Sequence, residues 1–432
     1  MTPAASGSRT PLLALATAKA ITMTGSRMSA LALPWLVLVT SGSPTRTGLV
    51  GFAEITPLVL VQGLSGPVVD RLGARRMSVL GSGFAAVSVG LVPVLVRSVG
   101  LPFVALLLLV AASGATQGLA SNADNAMTPA AIEHADASMD RSLAMVDGAY
   151  RLAGLLGAAL GGLLIGLMGA SNVLYVDAVT FLIAAVLVRG WVRLPSLDRV
   201  SATEHDPDGK GYLGLIAEGV RWIAAHRLLR AIAAMVLVTN LLDQAMSAVL
   251  APVWAHDVQG SAVALGVVGG TFGAGALIGN GLWALWGSRL PRYQTYLLAF
   301  LVVGAPRFAV IAFAGHQLAV IAVVVFLGGV GAGAINPILG ATMYEQIPVE
   351  LRTRVLGGFD ALCWAGMPLG SLLGGWLISR SGLTTALSVA GGLYLLATLL
   401  PAVRPVWRQL GTRPKAADPA GQRADQPVGL DA

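Results

Sequence analysis

The sequence predicts an all-α membrane protein of twelve transmembrane helices arranged as two pseudo-symmetric six-helix bundles. Three observations carry that expectation. Of 432 residues, 55% are hydrophobic and 11% charged, against about 25% charged in a soluble globular protein. A soluble chain of this size has no way to keep that much apolar surface out of water. Apolar stretches of bilayer-crossing length, about 20 residues or more, recur twelve times. A polar linker divides them into two groups of six, and the groups resemble each other.

The stretches are 12–41, 46–69, 76–97, 101–124, 142–168, 172–192, 228–256, 261–286, 293–314, 317–344, 353–379 and 383–403. They are too long for barrel strands, which need about ten alternating residues. The first is too long for a signal-peptide core, and no small-residue cleavage site interrupts it. Basic residues set the direction. Both termini inside places 21 of the 28 lysines and arginines on the cytoplasmic side. Arg46, Arg97 and Arg380 then lie outside, and Lys19, Arg27, Arg151 and Arg307 fall within spans. That bias is the positive-inside pattern. The net charge of +7 therefore reports topology and contact with anionic lipid, and gives no reason to invoke nucleic acid.

Residues 193–227 begin polar and turn amphipathic from Tyr212 to Arg227. There Leu213, Ile216, Val220 and Ile223 recur at helical spacing opposite Glu218 and Arg221, the pattern of a helix lying at the cytoplasmic interface. The tail from Arg404 is rich in Pro, Ala, Gln and charge without periodicity, and is expected to be disordered. The expected units are thus bundles at 1–192 and 228–403, a linker at 193–227 and a tail at 404–432.

The halves repeat each other. Met28-Ser29-Ala30 precedes Pro34 in span one, and Met246-Ser247-Ala248 precedes Pro252 in span seven. Arg141, Asp147, Gly157, Gly161 and Gly162 of span five match Arg354, Asp360, Gly370, Gly374 and Gly375 of span eleven. Six spans per half makes the repeats parallel, about an axis along the membrane normal. Proteins built this way place a substrate site between the halves near the midplane.

Enzyme chemistry finds no support. One cysteine, Cys363, excludes a disulfide framework, and the five histidines show no ligand spacing. Asp208-Gly209-Lys210-Gly211 lacks the hydroxyl residue and leading glycine of a phosphate-binding loop. No cofactor is expected.

Between spans two and three stands Gly66-Pro67-Val68-Val69-Asp70-Arg71-Leu72-Gly73-Ala74-Arg75-Arg76. This resembles, without a gap, the signature loop of the major facilitator superfamily, G-x-x-x-D-R-x-G-x-R-R. The resemblance implies a gating loop that latches the outward-facing state, with Gly66, Asp70, Arg71, Gly73, Arg75 and Arg76 as its parts. Its second-half counterpart, Gly281 with Trp286, Gly287, Ser288, Arg289 and Arg292, is degraded and lacks the aspartate. Gly157-Ala158-Ala159-Leu160-Gly161-Gly162 is similar to the superfamily's antiporter motif, with Ala158 in place of its proline. Its small residues suit close packing of helix five on eight or eleven.

Ala32-Leu33-Pro34-Trp35, Ala53-Glu54-Ile55-Thr56-Pro57, Tyr175-Val176-Asp177-Ala178 and Glu218-Gly219-Val220-Arg221 look like the subgroup of macrolide efflux proteins, enterobactin exporters and mycobacterial multidrug pumps. The resemblance spans residues 12 to about 400. It implies a proton-coupled antiporter exporting amphipathic small molecules such as antibiotics or siderophores by rocker-switch alternating access. An importing symporter, a lysolipid flippase and a non-transporting scaffold or sensor are the rival readings. The expected partners are the transported molecule, protons and membrane lipids, and the expected state is a monomer.

Charges inside spans each cost about 2.5–3.5 kcal/mol on insertion scales, so each needs a partner or a purpose. Asn240, Asp243, Gln244 and Ser247 form one polar face of span seven. Arg27 of span one lies at nearly the same depth as Asp243, and the two are expected to face each other. Glu54, three residues before Pro57, is a second candidate proton site. Asp147 and Arg151 are spaced to neutralise each other. Asp124 is placed to pair with Arg71 or Arg75. Asp177 reads as packing within the half. The candidate cavity residues are Met23, Trp35, Gln117, Asn240, Gln244, Asn336, Tyr344, Trp364 and Met367. Trp364 and Met367 follow Asp360 on one face of span eleven. Large apolar walls with few polar groups suit an amphipathic molecule better than a sugar.

Overall fold

The computed structural model describes residues 8–98, 100, 102–194, 211–348 and 351–411. Among these, helices account for all regular structure. Spans one to six are Thr10–Ser41, Pro44–Leu64, Ala74–Ser98, Phe103–His134, Met139–Met168 and Ala170–Trp191. Spans eight, ten and twelve are Val263–Trp286, Leu318–Gln346 and Leu383–Val403. Three spans are interrupted. Span seven is Arg227–Ala245, a π turn at Met246–Leu250, and Ala251–Asp257; span nine is Arg292–Val303 and Ala305–Phe313; span eleven is Arg352–Trp364 and Met367–Ser381.

Eleven of these are long and apolar enough to cross a bilayer. Span one falls below that apolarity because it carries Lys19, Thr22, Thr24, Ser26 and Arg27. It nevertheless lies along spans five and six as an integral member of the first bundle.

Local chemistry fixes the helix ends. Gly42 ends span one in the left-handed region at φ 61°, donating its N–H to Leu38 O, as the C-terminal glycine of a helix does. Ser43 then caps span two, its Oγ accepting from Arg46 N at 3.3 Å, with Pro44 in the first turn. Each interruption has a proline beside it. The π turn directly precedes Pro252, whose ring and missing N–H disrupt the ordinary ladder. Gly304 breaks span nine two residues before Pro306, and the ring of Tyr394 stands where a side chain on Gly304 would go. Ala365–Gly366 separates the parts of span eleven just before Pro368. Trp364 keeps the expected i, i+4 relation to Asp360 within Arg352–Trp364, whereas Met367 opens the next segment and does not share a continuous helical face with them.

Span four runs ten residues past its expected end. The bilayer scale stops it at the polar run beginning Ser121, but an alanine-rich helix continues as far as His134 with Met127, Ala131 and Ile132 buried against the first bundle. The tail also begins in an ordered segment. Pro405–Gly411 forms a 3₁₀ helix whose Trp407 and Leu410 are buried, Trp407 stacking on Tyr296 at 6.0 Å. Disorder from Arg404 is thus wrong for these seven residues. They are too short to show periodicity yet carry enough apolar surface to dock. Residues 412–432, and 195–210 of the linker, lie outside the described residues. The linker helix is Gly211–Ala225. It does more than lie at an interface: Gly219 rests on the backbone of Arg354 and Val355, and Glu218 pairs with Arg354 at 3.4 Å.

Packing follows the repeat. In the first half, span one lies on five and six, three on four and six, and two on four; in the second, eight and nine lie on ten, and seven on eleven and twelve. Between halves the main contacts are span two with eleven and span five with eight. The first-half core is split into two clusters. One is built from residues such as Leu15, Met77, Met127 and Val188 near the chain terminus, the other from Leu33, Val89, Val110 and Leu174 toward the far side. On span one the polar stretch from Lys19 to Arg27 falls between the residues that enter the two clusters.

Candidate functional site

The halves seal against each other at the end remote from the termini. A Cβ on Gly162 would overlap the backbone of Gly266, and one on Gly48 the backbone of Ser371 and Gly375. Thr45 Oγ1 and Ser379 Oγ are 2.7 Å apart, and Trp35 meets His256 edge-on with centroids 5.7 Å apart. Toward the terminal end the wall of span five opens. Asp147 and Arg151 bond each other at 2.7 Å with 59% and 45% of their side chains exposed. Charged groups this exposed along a span mark a water-accessible wedge, since acyl chains cannot solvate them. Tyr344 and Asn336 of span ten are exposed as well.

The glycine motifs build this shape from both copies of the repeat. Gly157 and Gly161 lie against Thr24 and Met28 of span one, and Gly370 and Gly374 against Leu241 and Ala245 of span seven. The last glycine of each motif crosses to the other half, Gly162 to span eight and Gly375 to span two.

Asp243 has a partner the sequence reading missed. Its Oδ1 accepts from an Nη of Arg307, on the second segment of span nine. The arginine is the more buried of the two, 14% exposed against 39% for the aspartate. Its guanidinium stands 5.1 Å from the ring centroid of Phe308 and 5.4 Å from that of Tyr394, and its Nε is buried without an acceptor among the described residues. The expected pairing with Arg27 is absent. Equal depth along two helices does not make two side chains face each other, and the break at Gly304 brings Arg307 to the aspartate first. Arg27 is exposed, lies over Gly154 and Gly157 of span five, and forms no ion pair among the described residues.

The other carboxylates also differ from expectation in their partners. Asp124 Oδ1 accepts from Ser78 Oγ at 2.6 Å and is not paired with Arg71 or Arg75. Ser78 lies one turn beyond the loop and is nearer. Arg75 instead donates from Nε to Val188 O at 3.4 Å and from Nη to Arg189 O, on the exposed carbonyls ending span six. In the loop, Gly66–Leu72 is a short helix and Gly73 turns at φ 91°. Asp177 is fully buried and accepts from Ser29 and Thr180, so it does hold spans one and six together. Glu54 is half-buried on span two, its backbone against Gly114 of span four. Lys19 Nζ donates to Asn125 Oδ1 at 2.9 Å.

Several candidate cavity residues are tied to the framework. Gln117 accepts from Ser26 at 3.2 Å and donates to Ser113 at 2.8 Å. Asn240 donates to Cys363 O at 3.0 Å and Gln244 to Ser371 Oγ at 3.2 Å. Trp35 and Trp364 pack against the second-half core, and Met23 against Gly154. Tyr344 lies under the guanidinium of Arg352 at 5.3 Å. The signal for Arg307 was present in Gly304-Ala305-Pro306-Arg307: helix-breaking residues immediately before the one charge in the interior of span nine.

Two repeated bundles around a polar wedge at mid-bilayer depth define a membrane transporter rather than an enzyme. Residues 5–418 match the transmembrane secretion effector family, and the chain belongs to that family of the major facilitator superfamily. It is 32% identical over 426 residues to proteins named multidrug efflux pump Tap from Mycobacterium bovis and Mycobacterium tuberculosis, covering 98% of each chain. Against Tap of Mycolicibacterium fortuitum it is 32% identical over 403 residues, 92% of this chain and 97% of that one. Two crystal structures of nucleoside transporter NupG share the fold. A mutant form superposes with TM-score 0.74 at 13% identity, over 91% of this chain and 99% of that one. The other gives 0.71 at 12% identity, over 91% and 98%. The chain is a multi-pass membrane efflux transporter.

Proposed function

We propose that the protein is a proton-coupled antiporter exporting amphipathic small molecules such as antibiotics or siderophores, by rocker-switch alternating access. The observation that carries this reading is the wedge, sealed at one end by glycine crossings, with the half-exposed carboxylate of Asp243 along it. The names of the Tap relatives support the direction and the kind of cargo. The units are the bundles 1–192 and 228–403, moving against each other on the linker 193–227, with the tail 404–432 and both termini in the cytoplasm of a bacterial inner membrane. The protein works as a monomer among lipids, without nucleic acid. In that orientation the present conformer is open inward.

An entering proton supplies about 2.3 kcal/mol per 100 mV and about 1.4 kcal/mol per pH unit. Protonation of Asp243 cancels its charge and releases the segment of span nine that carries Arg307. Span seven, softened by its π turn, is then free to repack toward the outward-open state. Glu54 is the second proton site. The loop from Gly66 to Arg76 latches that outward state, Asp70 and Arg71 reaching across the interface while Arg75 anchors the loop to span six.

The test is transport of a panel of amphipathic antibiotics and dyes, anionic, neutral and cationic, into everted vesicles energised by respiration. Wild-type transport should collapse with a protonophore. Asp243→Asn should abolish gradient-driven transport while leaving substrate binding in detergent measurable. Full gradient-driven transport by that variant would refute the coupling role.

A further inference from the structure

Most of the candidate carboxylates are already engaged. Asp243 is bonded to Arg307 and Asp147 to Arg151, while Asp124 accepts from Ser78 and Asp177 from Ser29 and Thr180. Glu54 and Asp360 complete the set, and neither forms an ion pair with Arg27 among the described residues. Arg27 stands apart from all of them. It is exposed, fourteen residues before the end of span one, which is about 21 Å at the rise of an α-helix. Asp243 is equally far from the end of span seven. Neither Gly154 nor Gly157 puts a side chain beneath it: a Cβ on Gly157 would come within 2.9 Å of Arg27 Cβ, and one on Gly154 within 3.9 Å of its Nε. Span five thus leaves a notch in which the arginine stem lies, and the side chain is exposed beyond it. Two turns nearer the terminal end on the same helix, Lys19 is bonded to an amide oxygen and not to a carboxylate.

We propose that Arg27 is an anion-recognition residue: its guanidinium binds a carboxylate, phosphate or comparable anionic group presented in the wedge, carried by the transported molecule or by a lipid headgroup. A guanidinium offers a planar fork matched to such groups and keeps its charge at all working pH. An uncompensated cation at that depth needs an anion or water to face, and the wedge brings either to it. The cargo is thereby specified as an amphipathic molecule with an acidic group near its apolar body. The inference rests on the wedge being the substrate pathway. It is tested by binding alone, so an uncoupled or inactive Asp243→Asn variant does not bear on it.

The experiment uses the full chain purified in a neutral maltoside detergent and three probes with one apolar body: pyrenebutyrate, pyrenebutanamide and a pyrenebutyl-trimethylammonium salt. Fluorescence anisotropy reads their affinities. The carboxylate should bind about tenfold more tightly than the amide, as a charge-assisted pair predicts, and the ammonium more weakly than the amide. Arg27→Gln should erase the carboxylate advantage and keep the amide affinity. Arg27→Lys should keep part of it, because charge remains while the fork is lost. This variant and the wild-type series decide the matter if Arg27→Gln fails to fold. Equal binding of acid and amide, preference for the ammonium, no binding of the acid, or equal loss of all three probes in Arg27→Gln would each overturn the proposal. Phosphatidylglycerol that displaces pyrenebutyrate from wild type, and not the amide, would assign the anion to a lipid headgroup and leave the site standing. Failure to displace would assign it to the cargo.

Discussion

Removal of Asp243 alone should destabilise the second bundle more than removal of Asp243 together with Arg307. Breaking a fully buried ion pair from one side costs about 3–5 kcal/mol, because the remaining charge is left without compensation. Here the arginine is 14% exposed and the aspartate 39%, so water relieves part of that cost. The two aromatic rings over the guanidinium relieve about 0.5–2 kcal/mol more. An Asp243→Asn cost of about 1.5–3 kcal/mol remains after these discounts. Arg307→Gln should cost less, since the aspartate it leaves behind is the more solvated partner. The double variant, with no orphaned charge, should recover more than the whole Arg307→Gln cost, at least about 1 kcal/mol relative to the sum of the single changes, within the coupling range of residues in contact. Thermal denaturation of the purified protein, followed by the fraction remaining monodisperse after heating, reads the order of the four proteins. Additivity within about 0.5 kcal/mol would show that the two side chains do not form an energetic pair, and the site geometry would be wrong.

Three further outcomes follow from the same geometry. Gly162→Val should expose the far end of the wedge to membrane-impermeant thiol reagents and reduce transport severely, whereas Gly83→Val, with nothing within 4 Å of its Cβ position, should leave transport near wild type; equal effects would remove the sealing role. Cysteines at Thr45 and Ser379, whose hydroxyls are 2.7 Å apart, should crosslink on mild oxidation, stop transport and release it on reduction, and a crosslinked protein that still transports would show that this end need not open. Trp407→Ala should lower stability by about 3 kcal/mol and truncation after residue 403 comparably, while truncation after residue 411 should be silent; equal stability of the two truncations would mean that Pro405–Gly411 is not docked.

Much of the architecture was legible because the bilayer imposes a simple rule on sequence. Eleven spans satisfy it openly, and the repeat in spans five and eleven located the glycines that face both the home bundle and the opposite one. Where the rule ends, so did the reading. Span four continues past its expected end because Met127, Ala131 and Ile132 pack into the core, a spacing that a hydropathy average over a polar run does not register. Trp407 docks from a segment of seven residues, too short to show a period. The partner of Asp243 was misassigned for a geometric reason. Sequence gives a residue's depth along a span, while side-chain meeting depends on rotation and on bends. The bend that matters is at Gly304, and it brings in Arg307 where depth alone suggested Arg27. Asp124 was likewise matched to the nearest arginines, although a hydroxyl from the adjoining helix lay closer.

The crossings of Gly162 on Gly266 and of Gly48 on Gly375 are copies of one gene-duplicated joint, placed on opposite flanks of the molecule. Each brings backbone against backbone, with the Thr45 and Ser379 side chains bonded beside the second, so a change of angle between the bundles at one flank would have to be accommodated at the other. A residue that thickens one bearing should be rescued more readily by a matching change on its twin than by a thinning of its direct neighbour.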